Sequence, residues 1–459
     1  MSGGSGDANF GLSGEARSAL LDRLTRRRAA KSDTPAAPKP IVRAPLGDAA
    51  VRSDLRRIRG AGQVLGIENP FFRPHEGIAG AETVIGGRTL INLVSYNYLG
   101  LNGDPRVLDA ATAAMHRYGT SVSASRLVSG ERPIHRELEA SLAQVYDAED
   151  CLAFVSGHAT NVTVISHLVG AGDLILHDAL AHNSIIQGAV LSGARRVGFA
   201  HNDLANLESA LRAHKTQSAR TLIVIEGHYS MDGDVPDLAG VVALARQFGA
   251  YLMVDEAHSL GVLGATGRGI AEYAGVAPGE IDIWMGTLSK SLSACGGYIA
   301  GAAEIVDYLR CSAPGFVYSV GMSPPIAAAA LASLRLMAEE PWRVTRLNSN
   351  ASLFLNEARQ AGLDVGSSIG AAIVPVIIGS SIRAARVADL LFQRGINVQP
   401  ILHPAVPERS ARLRVFLSAL HSETQIRTAV SEIARAVAEV DRMKIDLVRL
   451  AMELEQLKK

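Results

Sequence analysis

The sequence predicts an α/β fold with a mainly parallel sheet, helices on both of its faces, and a smaller α/β unit toward the C-terminus. Three observations carry this. Short β-branched or apolar runs alternate with polar or glycine turns and then with helical patterns, the rhythm of consecutive βα units. Forty-four glycines against 18 prolines supply many tight turns and close backbone approaches. The 459 residues exceed what one compact core usually supports, so more than one subdomain is expected.

Residues 1–10 are Gly/Ser-rich and expected to lack fixed structure. Leu12 to Ala30 reads as a helix with Leu20, Leu21 and Leu24 on one face, ending in the basic run Arg26, Arg27 and Arg28. The Pro- and Ala-rich stretch from Lys31 to Pro45 reads as a linker, which makes residues 1–62 an N-terminal extension. A large domain follows over residues 63–335. Its expected strands are Cys151–Val155, Leu174–His177, Thr221–Glu226, Tyr251–Asp255 and Ile281–Met285, with helices such as Leu238–Phe248 between them. The pattern changes around Met322–Pro325, where an alanine-rich helix, Ile326 to Met337, begins. Residues 336–440 read as the small C-terminal α/β domain. A tail over 441–459 continues a helical pattern from Val437, with Val440, Ile445, Leu447, Leu450 and Leu454 at apolar positions. No internal repeat is visible.

Composition narrows the function classes. With 45 basic and 45 acidic side chains the net charge is zero, which removes the electrostatic argument for nucleic acid or an anionic membrane. Cys151, Cys295 and Cys311 form neither a CxxC pair nor a disulfide framework, as expected in a reducing cytoplasm. No apolar run reaches the length of a membrane span, and the N-terminus lacks the basic-then-apolar pattern of an export signal.

In a parallel α/β sheet, ligands gather at the carboxyl ends of the strands. Here those ends deliver Ser156 to Asn161, then Asp178, His182 and Ser184, then Glu226 to Met231, then Asp255 to His258, and last Thr287 to Lys290. Packing alone does not account for five polar strand ends. Lys290 is the centre of the series. It follows an apolar strand among small and hydroxyl residues, where a lysine amine can reach a carbonyl and its pKa can move. An exposed solubilising lysine is the simpler alternative. Asp255 ends a buried strand, where a carboxylate can hold the protonated nitrogen of a pyridine-type cofactor; a helix N-cap or a magnesium ligand are the other readings. Zinc is disfavoured, because neither an HExxH motif nor a cysteine pair completes a shell. The Ser156–Asn161 turn offers backbone N–H groups at a helix start, a natural place for a phosphate.

These motifs resemble a known family. Val254-Asp255-Glu256-Ala257-His258-Ser259, Gly267-Arg268-Gly269 and Gly286-Thr287-Leu288-Ser289-Lys290 are similar to the α-oxoamine synthases. So are Ser95-Tyr96-Asn97-Tyr98-Leu99-Gly100, Ser125 to Gly130, Glu226 to Asp234, and Arg412-Leu413-Arg414 with Ala419-Leu420-His421. The resemblance runs in order from about residue 65 to 440. It implies fold type I of the pyridoxal 5'-phosphate (PLP) enzymes, with a seven-stranded sheet, and a homodimer with a shared active site. Asn69 to His75 and the overall pattern look nearer to serine palmitoyltransferase and to polyketide-associated synthases than to the heme or biotin enzymes.

The resemblance also implies roles. Lys290 would hold the cofactor as a Schiff base and later move the Cα proton. Asp255 would pair with the ring nitrogen, His258 would bond the ring oxygen with Ser230 near it, and His182 would stack on the ring. Gly157, His158, Thr287 and Ser289 would hold the phosphate, with Ser319 of the neighbouring subunit. Arg414 would bind the amino-acid carboxylate, with Asn97 of the partner chain close by. His158 stands where the family usually has Tyr or Phe, Ser319 where Thr is frequent, and His228 where Val, Ile or Leu is common. The implied reaction condenses serine, glycine or alanine with an acyl thioester, releasing CO2 and thiol; a PLP aminotransferase or aldolase would share Lys290 and Asp255. The helix before residue 30 looks like linker helices of carrier-protein megasynthases, so an acidic acyl carrier protein is an alternative acyl donor to coenzyme A.

Overall fold

The computed structural model describes residues 14–29, 46–48, 56, 60, 62–214 and 217–443. The chain divides into two units, Met1–Ala61 and Gly62–Lys459. The first contains helix α1 (Gly14–Ala29), close to the expected bounds. Leu20, Leu21 and Leu24 are all more than half exposed.

The second unit opens on a hairpin of β1 (Glu82–Ile85) and β2 (Arg88–Asn92). Helices α2 (Pro105–Tyr118) and α3 (Pro133–Val145) follow, each with proline in its first turn, where the missing N–H costs no bond. The βα series then runs through β3 (Asp150–Phe154), α4 (Gly157–Leu168), β4 (Leu174–Asp178), α5 (Asn183–Ser192), β5 (Arg195–Phe199), α6 (Leu204–His214), β6 (Thr221–Glu226), α7 (Leu238–Phe248), β7 (Tyr251–Asp255), β8 (Ile283–Thr287) and β9 (Gly297–Gly301). These strands form one seven-stranded sheet in the order β3-β9-β8-β7-β6-β4-β5. β9 runs antiparallel to both neighbours, and every other pairing is parallel. All residues of β4, β6 and β8 are buried, as expected of central strands covered by helices on both faces.

From β4 the chain moves outward to β5, whereas from β6 it moves the other way to β7 and β8. The sheet therefore has a switch point between β4 and β6, where a crevice opens at the carboxyl ends of the strands. His182 and Glu226 stand at this place.

Beyond the sheet come α8 (Ala303–Ser312), the alanine-rich α9 (Pro324–Glu339) and α10 (Trp342–Gln360). Ala327 to Ala330 are buried, and their small side chains let α9 pack closely on α2. After β10 (Ile373–Ile377) and α11 (Ser381–Gln393), β11 (Ile396–Asn397) extends the β1–β2 hairpin. β12 (Gln399–Ile401) and β13 (Arg412–Phe416) join β10 in an antiparallel sheet with β13 in the middle. Helix α12 (Glu423–Arg442) closes the described chain with a Ser422/Gln425 capping box.

The seven-stranded, mostly parallel sheet and the additional small sheet agree with the expected fold. Four details differ. β8 lies two residues later than the expected Ile281–Met285, so Thr287 is its last residue. β5 and β9 were absent from the sequence reading: β5 is a largely exposed edge strand beginning with two arginines, and β9, bounded by glycines, resembles a loop. The C-terminal helix begins at Glu423, before the expected Val437, and the apolar positions from Ile445 onward lie outside the described residues.

Candidate active site

A cavity of about 450 Å³ opens beside Lys290, lined also by Ser289, Tyr96, Asn97 and His75. Lys290 sits in the turn between β8 and β9, and its Nζ lies 5.7 Å from the centre of the Tyr96 ring. Burial lowers its pKa to about 8, against the opposing pull of Asp255 and Glu226. An amine held this low is partly unprotonated near neutral pH and can act as nucleophile and base.

Asp255 ends β7, next to β8, and is 3% exposed. Its donors are neutral: the Asn161 Nδ2 at 2.8 Å and the Ala257 backbone N–H at 2.9 Å. Glu226 is its partner in register across β6 and β7. Burial, and then the nearby Asp255, push the Glu226 carboxyl up to about 8. Two adjacent strands thus end in two buried carboxyls.

Glu226 accepts the backbone N–H of His182 at 2.7 Å, which fixes the start of α5. The His182 Nδ1 pairs with Ser184 Oγ at 2.7 Å, while the residue stays exposed. A ring anchored along one edge with an open face suits stacking on a flat ligand. His258 is buried, its Nδ1 2.8 Å from the Tyr98 hydroxyl. Burial, reinforced by Lys290, holds its pKa well below the usual histidine value, so the ring is neutral. Tyr96 meets the His258 ring edge-on at 6.0 Å and the Phe416 ring at 4.9 Å. The Arg414 guanidinium lies 4.9 Å from the centre of that same Phe416 ring. An aromatic wall therefore connects Lys290, His258 and Arg414.

The β3–α4 turn supplies a cradle. A Cβ on Gly157 would meet Thr287 Oγ1 at 2.8 Å, so only glycine brings the start of α4 this close to β8. Thr287 Oγ1 lies 2.8 Å from Ser289 Oγ, which joins the two hydroxyls beside the helix N-terminus. Backbone N–H groups, hydroxyls and the dipole of the 12-residue α4 form a site for a phosphate-sized anion. Arg414 offers a second place for an anion: it is half-buried, its Nη1 touches Met231 Sδ at 3.5 Å, and its buried Nε has no partner. An amine, a buried acid, a stacking ring and two anion sites fit the donor set that PLP and an amino acid require.

Comparison with known proteins gives the same answer. A family profile described as aminotransferase class I and II matches residues 88–433. The 8-amino-7-oxononanoate synthase of Geobacter sulfurreducens is 43% identical over 366 residues, which is 79% of this chain and 93% of that protein. The chain belongs to the α-oxoamine synthase family of PLP-dependent enzymes. Its backbone matches the Sphingomonas wittichii serine palmitoyltransferase with a TM-score of 0.82 and 31% identity, covering 86% of this chain and 99% of that one. The 8-amino-7-oxononanoate synthase of Francisella tularensis matches with a TM-score of 0.67 and 25% identity, covering 76% of this chain and 98% of that one.

Of the expected site residues, Lys290, Asp255, His258, His182, Thr287, Ser289, Gly157 and Arg414 converge on this region. His158 is exposed, its ring 6.3 Å from that of His182, and half-buried Ser230 follows β6. Ser319 lies apart, beside Arg126, Phe154 and Phe316, with its Oγ on the Val320 carbonyl at 3.2 Å. Asn97 lines the cavity beside Lys290. Its carboxamide is already engaged, donating to the Ala79 carbonyl at 3.0 Å and accepting from the Asn102 N–H at 3.1 Å. The sequence reading assigned no role to Tyr96, Tyr98, Asn161 or Glu226. All four stand in motifs quoted for the family or at strand ends, so position along the chain was the available signal.

Proposed function

We propose that this chain condenses a small amino acid (serine, glycine or alanine) with an acyl thioester, yielding an α-amino ketone, CO2 and a free thiol. The observation that carries the reading is Lys290, with its pKa lowered to about 8, sharing a wall with an unpaired Arg414 Nε and a neutral His258. Bound PLP supplies an electron sink for negative charge at the amino acid's α-carbon.

The chain's own residues do the rest. Gly157 and His158 backbone N–H groups, with the Thr287 and Ser289 hydroxyls, would hold the cofactor's phosphate. Asp255 would keep the ring nitrogen protonated, His182 would stack on the ring, and His258 and Ser230 would contact the ring oxygen. Arg414 binds the substrate carboxylate and orients the Cα–H bond toward Lys290 Nζ, which takes that proton. The α-carbon then forms its bond to the thioester carbonyl carbon as the C–S bond breaks, and the carboxylate leaves as CO2. Lys290 Nζ returns a proton to the same carbon.

The active assembly is read as a homodimer with a shared site. Support comes from Ser319, which lies outside the Lys290 cavity of its own chain next to Tyr318, 86% exposed, and Val320, 54% exposed. A large domain over 63–335 and a small one over 336–440 enclose the site, with 1–62 and 441–459 as extensions. A cytoplasmic setting accords with three unpaired cysteines and with no membrane-crossing helix among the described residues. Coenzyme A or an acyl carrier protein delivers the acyl group. Exposed Arg23 and Arg26 on α1 complement an acidic carrier.

The deciding experiment measures CO2 and thiol release across a grid of amino acids and acyl thioesters. Stoichiometric release of both supports the reading, and amino-group transfer without CO2 would instead make the chain an aminotransferase. The same acyl chain on each carrier, tested with full-length protein and with protein lacking residues 1–40, settles the donor. Loss of a carrier-protein preference on truncation places that contact in the extension, and equal or better use of acyl-coenzyme A by both forms removes it.

A further inference from the structure

A charged cluster stands behind the site and has no part in the chemistry above. His201, just beyond β5, bridges two carboxylates: its Nδ1 lies 2.9 Å from Asp178 Oδ1 and its Nε2 lies 3.0 Å from Asp234 Oδ2. Asp178 is fully buried at the end of β4 and also accepts the Leu180 and Asn202 backbone N–H groups at 2.7 and 3.0 Å. Burial alone would lower the His201 pKa, but the bonds to Asp178 and Asp234 more than offset this and raise it to about 10. The ring is an imidazolium at neutral pH, with both N–H groups donating to carboxylates.

Asp234 closes the tight turn Tyr229–Asp234, in which the Tyr229 N–H donates to the Asp234 carbonyl at 3.0 Å and the Gly233 N–H to the Tyr229 carbonyl at 2.9 Å. The Tyr229 ring meets the His201 ring edge-on at 4.5 Å. From the other side the turn is held by Arg412, whose Nη1 reaches the Met231 carbonyl at 2.9 Å and Asp232 Oδ1 at 2.6 Å. Ser367 Oγ donates to Asp234 Oδ2 at 3.1 Å. At the centre of the turn, Met231 Sδ accepts from Arg414 Nη1 at 3.5 Å. A buried strand end, an imidazolium, the turn and Arg414 thus form one continuous set of contacts.

We propose that His201 is a positioning residue for amino-acid recognition: bridged between Asp178 and Asp234, it fixes the Tyr229–Asp234 turn and, through Met231, the guanidinium of Arg414. This rests on the reading that Arg414 binds the substrate carboxylate. Loosening the turn withdraws the fixed support of an Arg whose bidentate geometry decides its binding strength. Asp255 at the end of β7 and Lys290 just after β8 stand outside the turn.

The test is steady-state kinetics of the PLP-loaded enzyme, with hydrogen exchange of residues 229–234 as a readout independent of activity. Asp234→Asn removes one ionic end and leaves His201 paired with Asp178. The amino-acid KM should rise about tenfold, the scale of one charge-assisted hydrogen bond, while kcat and thioester KM hold and the turn exchanges faster. Ser367→Ala, a milder change suited to the case in which Asp234→Asn fails to fold, should show the same split at a smaller size. An unchanged amino-acid KM in the folded variants, or equal changes in kcat and thioester KM, overturns the proposal. Arg414→Ala, run in parallel, separates the two ideas. If it leaves amino-acid binding intact, the carboxylate reading fails; if it weakens binding while the turn variants do not, only the role of His201 fails.

Discussion

Lys290 and Arg414 border one aromatic wall, yet the chain brings them there by different routes. Lys290 follows β8, which pairs in parallel with β7 and places Asp255 opposite Met285. Neighbouring strands with nearly continuous apolar runs fix that relation, and few residues intervene. Arg414 sits on the middle strand of a separate small sheet, over Phe416 of its own strand, and is held from outside by Met231 and the turn that carries it. The first region is rigid because it is the end of the main sheet. The second depends on contacts between segments far apart in sequence. Damage at the sheet end should therefore strike the chemical step, whereas damage at the small sheet should strike amino-acid binding and leave the chemistry in place.

The largest effect is expected at the sheet end. Lys290→Ala should lower kcat by about 10²- to 10⁴-fold, the usual worth of a positioned acid–base group, and should abolish the visible absorbance of the cofactor–protein adduct. Turnover near that of the unaltered protein, with the absorbance retained, would break the comparison at its first member. Next comes Arg414→Ala, which should weaken amino-acid binding by about 2–5 kcal/mol while cofactor content stays normal. Substrate titration of the loaded protein checks this, and a loss of cofactor with unchanged affinity would put Arg414 in the wrong role.

A subtler effect concerns the carboxyl at the end of β6. The folded pKa of Glu226, pushed up to about 8 by burial and Asp255, lies above its unfolded value. Between those values the unfolded chain binds fewer protons at this site than the folded one, so Glu226 makes stability fall as pH rises from about 4.5 to 8. Glu256, also raised to about 8 by burial, adds to the same slope. Glu226→Gln keeps the shape and hydrogen-bond acceptor without the titration. Its stability by urea unfolding at pH 5 to 8 should fall less steeply than that of the unaltered protein. Parallel slopes would show that Glu226 is ionised across the range.

What the sequence disclosed follows the same division. Thr221–Glu226 and Tyr251–Asp255 were legible to the residue, because fully buried parallel strands are short apolar runs ending in a polar residue. Asp255, His258 and Lys290 could be singled out for that reason. β9 was not legible: its buried face is built from glycine, alanine and two larger residues, and its pairing with β3 spans most of the large sheet's sequence. The family resemblance supplied Arg414, whose strand carries no local sign of where it will pack. Tyr98 and Glu226 act through partners distant in sequence, His258 and the His182 backbone, and no periodicity reveals such pairs. His201 is the extreme case, since it bridges one carboxylate at the end of β4 and another in the Tyr229–Asp234 turn.

The account stands on Lys290 as the residue that carries the cofactor, and the most direct measurement is borohydride reduction of the PLP-loaded protein followed by peptide mass spectrometry. The account predicts a reduced pyridoxyl-phosphate adduct on the peptide containing Lys290 and its loss in Lys290→Ala; an adduct on another lysine, or an undiminished adduct in the variant, would contradict it.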